Sequence, residues 1–195
     1  IHEYQSLSTP PYARLKNFAK KIVNKKPSGR IFLNNFVQHD LNFTDDIPYI
    51  YRDMGVDEAL FQSPSENPLY DIVYSGSIAG RNGLIEVLRR LARNYKVVVV
   101  GQVSDLESSL LKHENITILG RVERKDLPEI YRNSRFGLNF TPNIYPYNIQ
   151  TSTKTLEYLA SGLGVISNKY KWSEHFFSKI QYTPVWLCGT NLSLE

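Results

Sequence analysis

Cysteine is almost missing. Cys188 stands alone in the chain, so no internal disulfide can form, and a reducing compartment fits. Metal-binding patterns are missing too. His2, His39, His113 and His175 are scattered, with no HExxH or CxxC pattern, which leaves a metal site without support. No apolar run approaches the roughly 20 residues that a membrane-crossing helix needs. The opening Ile-His-Glu lacks the basic and apolar regions of a secretory signal. It also lacks an initiator methionine, as expected of a piece of a longer protein. Strong charge is absent as well. The net charge is +4 and the pI about 9.0. That balance favours anionic ligands without arguing for nucleic acid.

Hydrophobic residues at 42% and charged residues at 22% are ordinary for a globular protein. The length of 195 residues allows one substantial domain, or one domain plus a fragment. Residues 11–26 carry Leu15, Phe18, Ile22 and Val23 at helical spacing, with Lys16, Lys20, Lys21, Lys25 and Lys26 between them. Pro27-Ser28-Gly29 ends that helix. A basic amphipathic helix can lie on an anionic membrane, so peripheral membrane association is kept as an expectation. An ordinary surface helix with snorkelling lysines is the favoured reading. Segments 31–33 and 48–51 read as short strands. The Gln, Ser and Pro-rich segment 62–68 reads as a linker. It places a boundary near residue 67, between a segment 1–66 and a domain 67–195.

From there the pattern becomes regular. Segments 71–75, 96–100, 116–119, 136–140 and 164–167 are predicted strands. Asn82 is a candidate cap for a helix through Leu84, Leu88 and Leu91. Ser104-Asp105-Leu106-Glu107 is a capping box. Asp126-Leu127-Pro128-Glu129 is a second of the same type, with proline in the permitted first turn. Alternating strands and helices imply an α/β protein, a Rossmann-like parallel sheet with helices on both faces. Valine runs without alternation suit strands buried on both sides. Ligands in such sheets bind beyond the carboxyl ends of the strands. Loops 76–83, 101–104, 120–124 and 141–153 are therefore predicted to line one cleft.

The densest chemistry lies in Thr151-Ser152-Thr153-Lys154-Thr155-Leu156-Glu157, a hydroxyl-rich helix start that runs on to a stop at Gly162. Such a start offers backbone N–H groups to an anion. Lys154 adds a positive charge, and Glu157 could accept two ribose hydroxyls. Each also has a plain alternative: an exposed first-turn lysine, and a carboxylate near the positive end of the helix dipole. The loop Gly76-Ser77-Ile78-Ala79-Gly80-Arg81-Asn82-Gly83 lets backbone approach a ligand closely. It matches neither the dinucleotide fingerprint nor the phosphate loop. Arg81 is either a diphosphate partner or a surface arginine.

These residues carry a resemblance. The run Lys154-Thr155-Leu156-Glu157-Tyr158-Leu159-Ala160-Ser161-Gly162-Leu163-Gly164-Val165-Ile166 resembles the donor-binding motif of GT-B glycosyltransferases. Asp53-Met54-Gly55-Val56-Asp57 resembles the run that joins the two GT-B domains. Tyr74–Ile78, Val98–Gly101, Asn115–Val122 and Leu127–Tyr131 fall where that family's repeats fall. The resemblance implies the C-terminal donor-binding half of a group 1 type GT-B enzyme, with residues 1–66 as the tail of the N-terminal domain and the rest of that domain missing. Glu157 would hold the donor ribose. Ser152, Thr153, Lys154 and Thr155 would hold the diphosphate, Val122 would meet the nucleobase, and Gly76, Ser77, Arg81 and Asn82 would face the donor phosphates. The donor would be a nucleoside diphosphate sugar, with no further cofactor and no metal. The acceptor would be a glycan or lipid-linked acceptor, served mostly by the N-terminal domain, and no catalytic residue is assigned here. A cytoplasmic location, at the inner face of the membrane, is implied, as is a role in surface polysaccharide biosynthesis.

Three departures stand out. Many retaining members carry a first glutamate that contacts the transferred sugar. Ile149 occupies that position, flanked by Asn148 and Gln150, and these three are taken as donor contacts. Tyrosines 145 and 147 nearby either stack on a sugar or pack the loop. Ser77 and Asn82 replace the usual basic residues, and Gly164 replaces a proline. Two rival readings remain: a GT-B-like sugar-nucleotide epimerase, and a non-catalytic nucleotide-binding or scaffold domain.

Overall fold

The computed structural model describes residues 1–187 except 5, 10, 24 and 25. Cys188 and Lys25 lie outside the described residues. The chain divides into two compact units. The first comprises Ile1–Gly55, Asn143–Thr151 and Tyr170–Trp172, and the second Val56–Pro142, Ser152–Lys169 and the chain from Ser173. The division thus falls at Gly55, ahead of the expected point near 67. The reason is that residues 56–68 pack on the second unit. Leu60 joins one of its cores, Ser65 N–H donates to the Arg132 carbonyl at 2.9 Å, and the Pro64 ring lies where a β-carbon on Gly162 would meet it at 3.0 Å.

In the first unit, β1 (His2–Tyr4), β2 (Arg30–Phe32) and β3 (Tyr49–Tyr51) form a parallel sheet in the order β1-β2-β3. Two helices accompany it, α1 (Ala13–Val23) and α2 (Asn35–Leu41). The Asn34 side chain accepts the Val37 N–H and so opens α2. Tyr4, Leu7, Phe32, Val37, Leu41 and Ile149 make the core. The buried Arg30 is held by both carboxylate oxygens of Asp45 and lies 3.8 Å from the centre of the Phe43 ring.

Helix α1 sits the other way round from the favoured expectation. Ala13 and Asn17 face inward, while Leu15, Phe18 and Ile22 are exposed. Asn17 fixes this orientation. Its Oδ1 accepts the Ser8 N–H at 2.9 Å, and its Nδ2 donates to the Tyr145 hydroxyl at 2.9 Å. Hydrogen bonds, not apolar burial, turn the helix to its unit.

The second unit is a six-stranded parallel sheet. Its strands are β4 (Tyr70–Ser75), β5 (Val97–Val100), β6 (Ile116–Gly120), β7 (Ser134–Asn139), β8 (Gly164–Ser167) and β9 (Val185–Trp186), in the order β6-β5-β4-β7-β8-β9. Its helices are α3 (Leu84–Leu91), α4 (Asp105–Leu110), α5 (Leu127–Arg132), α6 (Thr153–Ala160) and α7 (Lys171–Lys179), whose first two residues belong to the first unit. Adjacent residues of each central strand supply opposite faces. Ile72, Tyr74, Val97 and Val99 pack with α3, and Val73, Val98 and Val100 pack with Tyr131 and Tyr158. That double burial is why Val97–Val100 is apolar without a break. Two glycines admit close packing. A β-carbon on Gly137 would lie 2.2 Å from the Tyr158 ring, and one on Gly164 would lie 2.5 Å from the Phe136 ring. The Phe136 ring thus fills the place beside Gly164.

The capping box at α4 forms as expected, with Ser104 and Glu107 bonding reciprocally. Two other expected caps do not. Gly83, not Asn82, precedes α3, at φ 86° and with no side-chain cap bond. Asp126 is already helical, because a 3-10 turn at Arg124–Asp126 leads straight into α5, so its side chain caps nothing.

Candidate functional site

Helix α6 begins at the carboxyl end of β7, and two hydroxyl bonds hold it there. Ser152 Oγ accepts the Thr155 N–H at 3.4 Å and donates to Asn139 Oδ1 at 3.0 Å. Asn139 in turn donates to Ser167 Oγ at 3.0 Å, tying the ends of β7 and β8 together. The first-turn N–H groups of Thr153 and Lys154 point along the helix axis away from α6. The Thr155 side chain is buried, and its hydroxyl has no hydrogen-bond partner among the described residues.

The Lys154 side chain lies directly on Gly76. A β-carbon there would stand 2.3 Å from Lys154 Cε and 2.7 Å from Nζ. Gly76 adopts φ 132°, a region that side chains rarely enter, so only glycine suits it on both counts. Gly101 repeats the requirement one strand over, because its β-carbon would meet the Gly76 carbonyl at 2.3 Å. Burial pushes the Lys154 ammonium down to about 8, with the Arg81 charge acting in the same direction and Glu157 opposing. Arg81 is fixed by its loop. Its Nε donates to the Ser77 carbonyl at 3.2 Å, and its guanidinium also donates to the Phe140 carbonyl. The Tyr74 hydroxyl donates to the same Ser77 carbonyl at 2.7 Å.

Glu157 lies one turn further in, its side chain 18% exposed. The Tyr131 hydroxyl donates to its Oε2 at 3.2 Å, and Arg124 stands 4.0 Å from Oε1. Behind Tyr131 the bonds continue through Ser75 Oγ at 2.8 Å to the Tyr158 hydroxyl at 3.0 Å, which accepts the Ser75 N–H at 3.0 Å. Because the Tyr131 hydroxyl donates to Glu157, its proton is committed and the order follows: Tyr158 to Ser75, Ser75 to Tyr131, Tyr131 to Glu157. Burial pushes both phenols well above the usual tyrosine range, which keeps them protonated donors.

Glu157 forms one wall of a cavity of about 280 Å³ with Asp57, Leu60, Arg124, Leu127 and Pro128. It offers an apolar floor and a carboxylate rim, a combination suited to a ring bearing hydroxyls. Arg81 and Asn82 line a separate groove of about 670 Å³ along α3.

The second unit therefore brings together Gly76, Ser77, Arg81, Lys154 and Glu157, with Ser152, Thr153 and Thr155 at the same helix start. Val122 packs its side chain against the core beneath α5, which leaves backbone as its polar contribution. Asn148, Ile149 and Gln150 belong to the first unit. Ile149 is 8% exposed in that unit's core, and Gln150 Nε2 donates to the Leu7 carbonyl at 3.3 Å. Ile149 is thus a packing residue in the first unit. Tyr145 is also structural, donating to Asp40 Oδ2 at 2.8 Å. Sequence reasoning missed Tyr131 and Ser75 as supports of Glu157, and Arg124 and Asp57 beside it. Their signal is weak, because the partners lie tens of residues apart.

A six-stranded parallel sheet, with a lysine-bearing helix start at its strand ends, defines a Rossmann-like α/β domain. A sequence profile of the glycosyl transferase-like family matches residues 81–185. That is more than half of the chain, and the chain belongs to this family. Solved structures share the GT-B fold. AviGT4, a glycosyltransferase involved in avilamycin A biosynthesis, is 15% identical, with a TM-score of 0.56 over 72% of this chain and 44% of its own. Sucrose-phosphate synthase from Thermosynechococcus elongatus is 15% identical, with a TM-score of 0.62 over 87% and 50%. Anabaena Alr3699/HepE, solved in complex with UDP, is 17% identical, with a TM-score of 0.63 over 89% and 54%. The chain spans about half the length of these structures. No curated protein sequence matches it.

Proposed function

We propose that the chain is the donor-binding half of a glycosyltransferase that uses a nucleoside diphosphate sugar and transfers a hexosyl group to a glycan or lipid-linked acceptor. Surface polysaccharide biosynthesis in the cytoplasm is the setting that fits. The observation that carries this reading is the Lys154 ammonium, largely buried on Gly76 with the Arg81 charge nearby. Two cations in a partly desolvated place favour a dianionic ligand. In the transfer, the acceptor hydroxyl oxygen bonds to the anomeric carbon while the bond to the diphosphate oxygen breaks, the electron pair leaves on the diphosphate, and the hydroxyl proton passes to that departing diphosphate oxygen. Lys154, Arg81 and the first-turn N–H groups of α6 meet that developing charge, and no metal is called for. Glu157 accepts the ribose hydroxyls, held for that task by Tyr131. The UDP seen in Alr3699/HepE supports a nucleoside diphosphate as ligand.

The chain alone is expected to bind nucleotide weakly and to transfer little. The test is calorimetry of the intact parent protein with uridine and guanosine diphosphates. Heat of binding with one of them, lost on Lys154→Met, is the expected result. No heat with either overturns the reading.

A further inference from the structure

Helix α1 presents an apolar stripe to solvent. Leu15 is 65% exposed, Phe18 57% and Ile22 52%. With exposed Ala19 they form one face at spacings of three and four. That face lies opposite the inward Ala13 and Asn17, so the stripe points straight outward. Cationic side chains border it on both sides, Arg14 and Lys21 along one edge and Lys16 and Lys20 along the other. Residues 11–27 contain six basic residues and no acidic one. Lys20 and Lys21 reach back to the Ser6 and Asn42 carbonyls at 3.3 Å, so their charges hold to the flanks and do not cover the stripe.

We propose that α1 docks the protein on an anionic lipid bilayer, with Leu15, Phe18 and Ile22 inserted at the boundary of headgroups and acyl chains. Charge complementarity selects this occupant. An apolar stripe between two cationic borders, with no acid along the segment, matches a surface that is negative everywhere and apolar just beneath. A protein partner would need its own acid on both borders and none on its centre. The proposal concerns the first unit and stands apart from the donor site.

The test is cosedimentation of the intact parent protein with phosphatidylcholine vesicles, pure or mixed with phosphatidylglycerol. Binding to the mixed vesicles is expected, about tenfold weaker to the neutral ones and weakened by salt. Phe18→Glu and Ile22→Glu should each lower it by about tenfold while leaving thermal unfolding and UDP affinity unchanged. Three results overturn the proposal. One is binding that ignores phosphatidylglycerol or either substitution. Another is a lower oligomeric state for Phe18→Glu without lipid, which assigns the stripe to a second copy. The third is protection of Phe18→Cys from an aqueous maleimide without lipid, which assigns it to the parent's own chain.

Discussion

The side chain of Lys154 occupies the space that a β-carbon of Gly76 would need, 2.3 Å from its Cε. A glycine just past β4 and a lysine in the first turn of α6 are therefore a single device. Gly76→Ala should damage both partners. The new methyl must push Lys154 aside, and alanine must adopt φ 132°. A stability loss of about 1–3 kcal/mol is expected, read by urea unfolding, together with weaker nucleotide binding. Unchanged binding would mean that Lys154 does not act from this position.

Lys154 also sets a pH dependence. Its ammonium titrates near 8, below its ordinary 10.5, so diphosphate affinity should fall as pH rises through 8, and Lys154→Met should abolish that fall. Stability has the opposite sign. Between 8 and 10.5 the unfolded chain holds the proton that the folded chain has lost, so stability rises with pH over that window, by up to about 3 kcal/mol. Calorimetry of UDP binding at pH 7 and 9 checks the first sign, and unfolding of the wild type and Lys154→Met at pH 7 and 10 checks the second.

Tyr131→Phe removes the hydroxyl that donates to Glu157. UDP affinity should fall by about 1 kcal/mol, and Glu157→Ala should cost about 1–3 kcal/mol. Because the two act through one bond, the double variant should lose less than the sum. Additive losses in calorimetry would separate Tyr131 from the task of Glu157.

The caps give a contrast. Ser104→Ala breaks the reciprocal box at α4 and should cost about 1 kcal/mol, whereas Asn82→Ala should change stability by less than about 0.5 kcal/mol, since Gly83 precedes α3. Urea midpoints of the two variants decide it.

What could be read from the residues follows physical lines. Val97–Val100 announces a central strand because both of its faces are buried. The Ser152–Glu157 helix start is legible because caps and charges act within one turn. Orientation is a different matter. The spacing of Leu15, Phe18 and Ile22 defines a face but not which way it points, and Asn17 decides that through bonds to Ser8 and Tyr145, the second 128 residues away. Ile149 reads as a replaced sugar contact from its place in the motif, yet the first unit uses it as core. Asp126-Leu127-Pro128-Glu129 has the letters of a capping box, but the preceding 3-10 turn takes Asp126 into the helix. Short α2 and β9 lack any pattern long enough to detect.

Gly137 leaves a gap in the middle of β7 that the Tyr158 ring fills at 2.2 Å from the vacant β-carbon position. Helix α6 is indexed to the sheet by that ring and cannot slip along it without driving the aromatic into backbone. Its amino end is consequently preorganised before the proposed nucleotide arrives. Little ordering entropy then remains to be lost on association, and calorimetric signatures of binding should reflect desolvation of the ligand more than rearrangement of the protein.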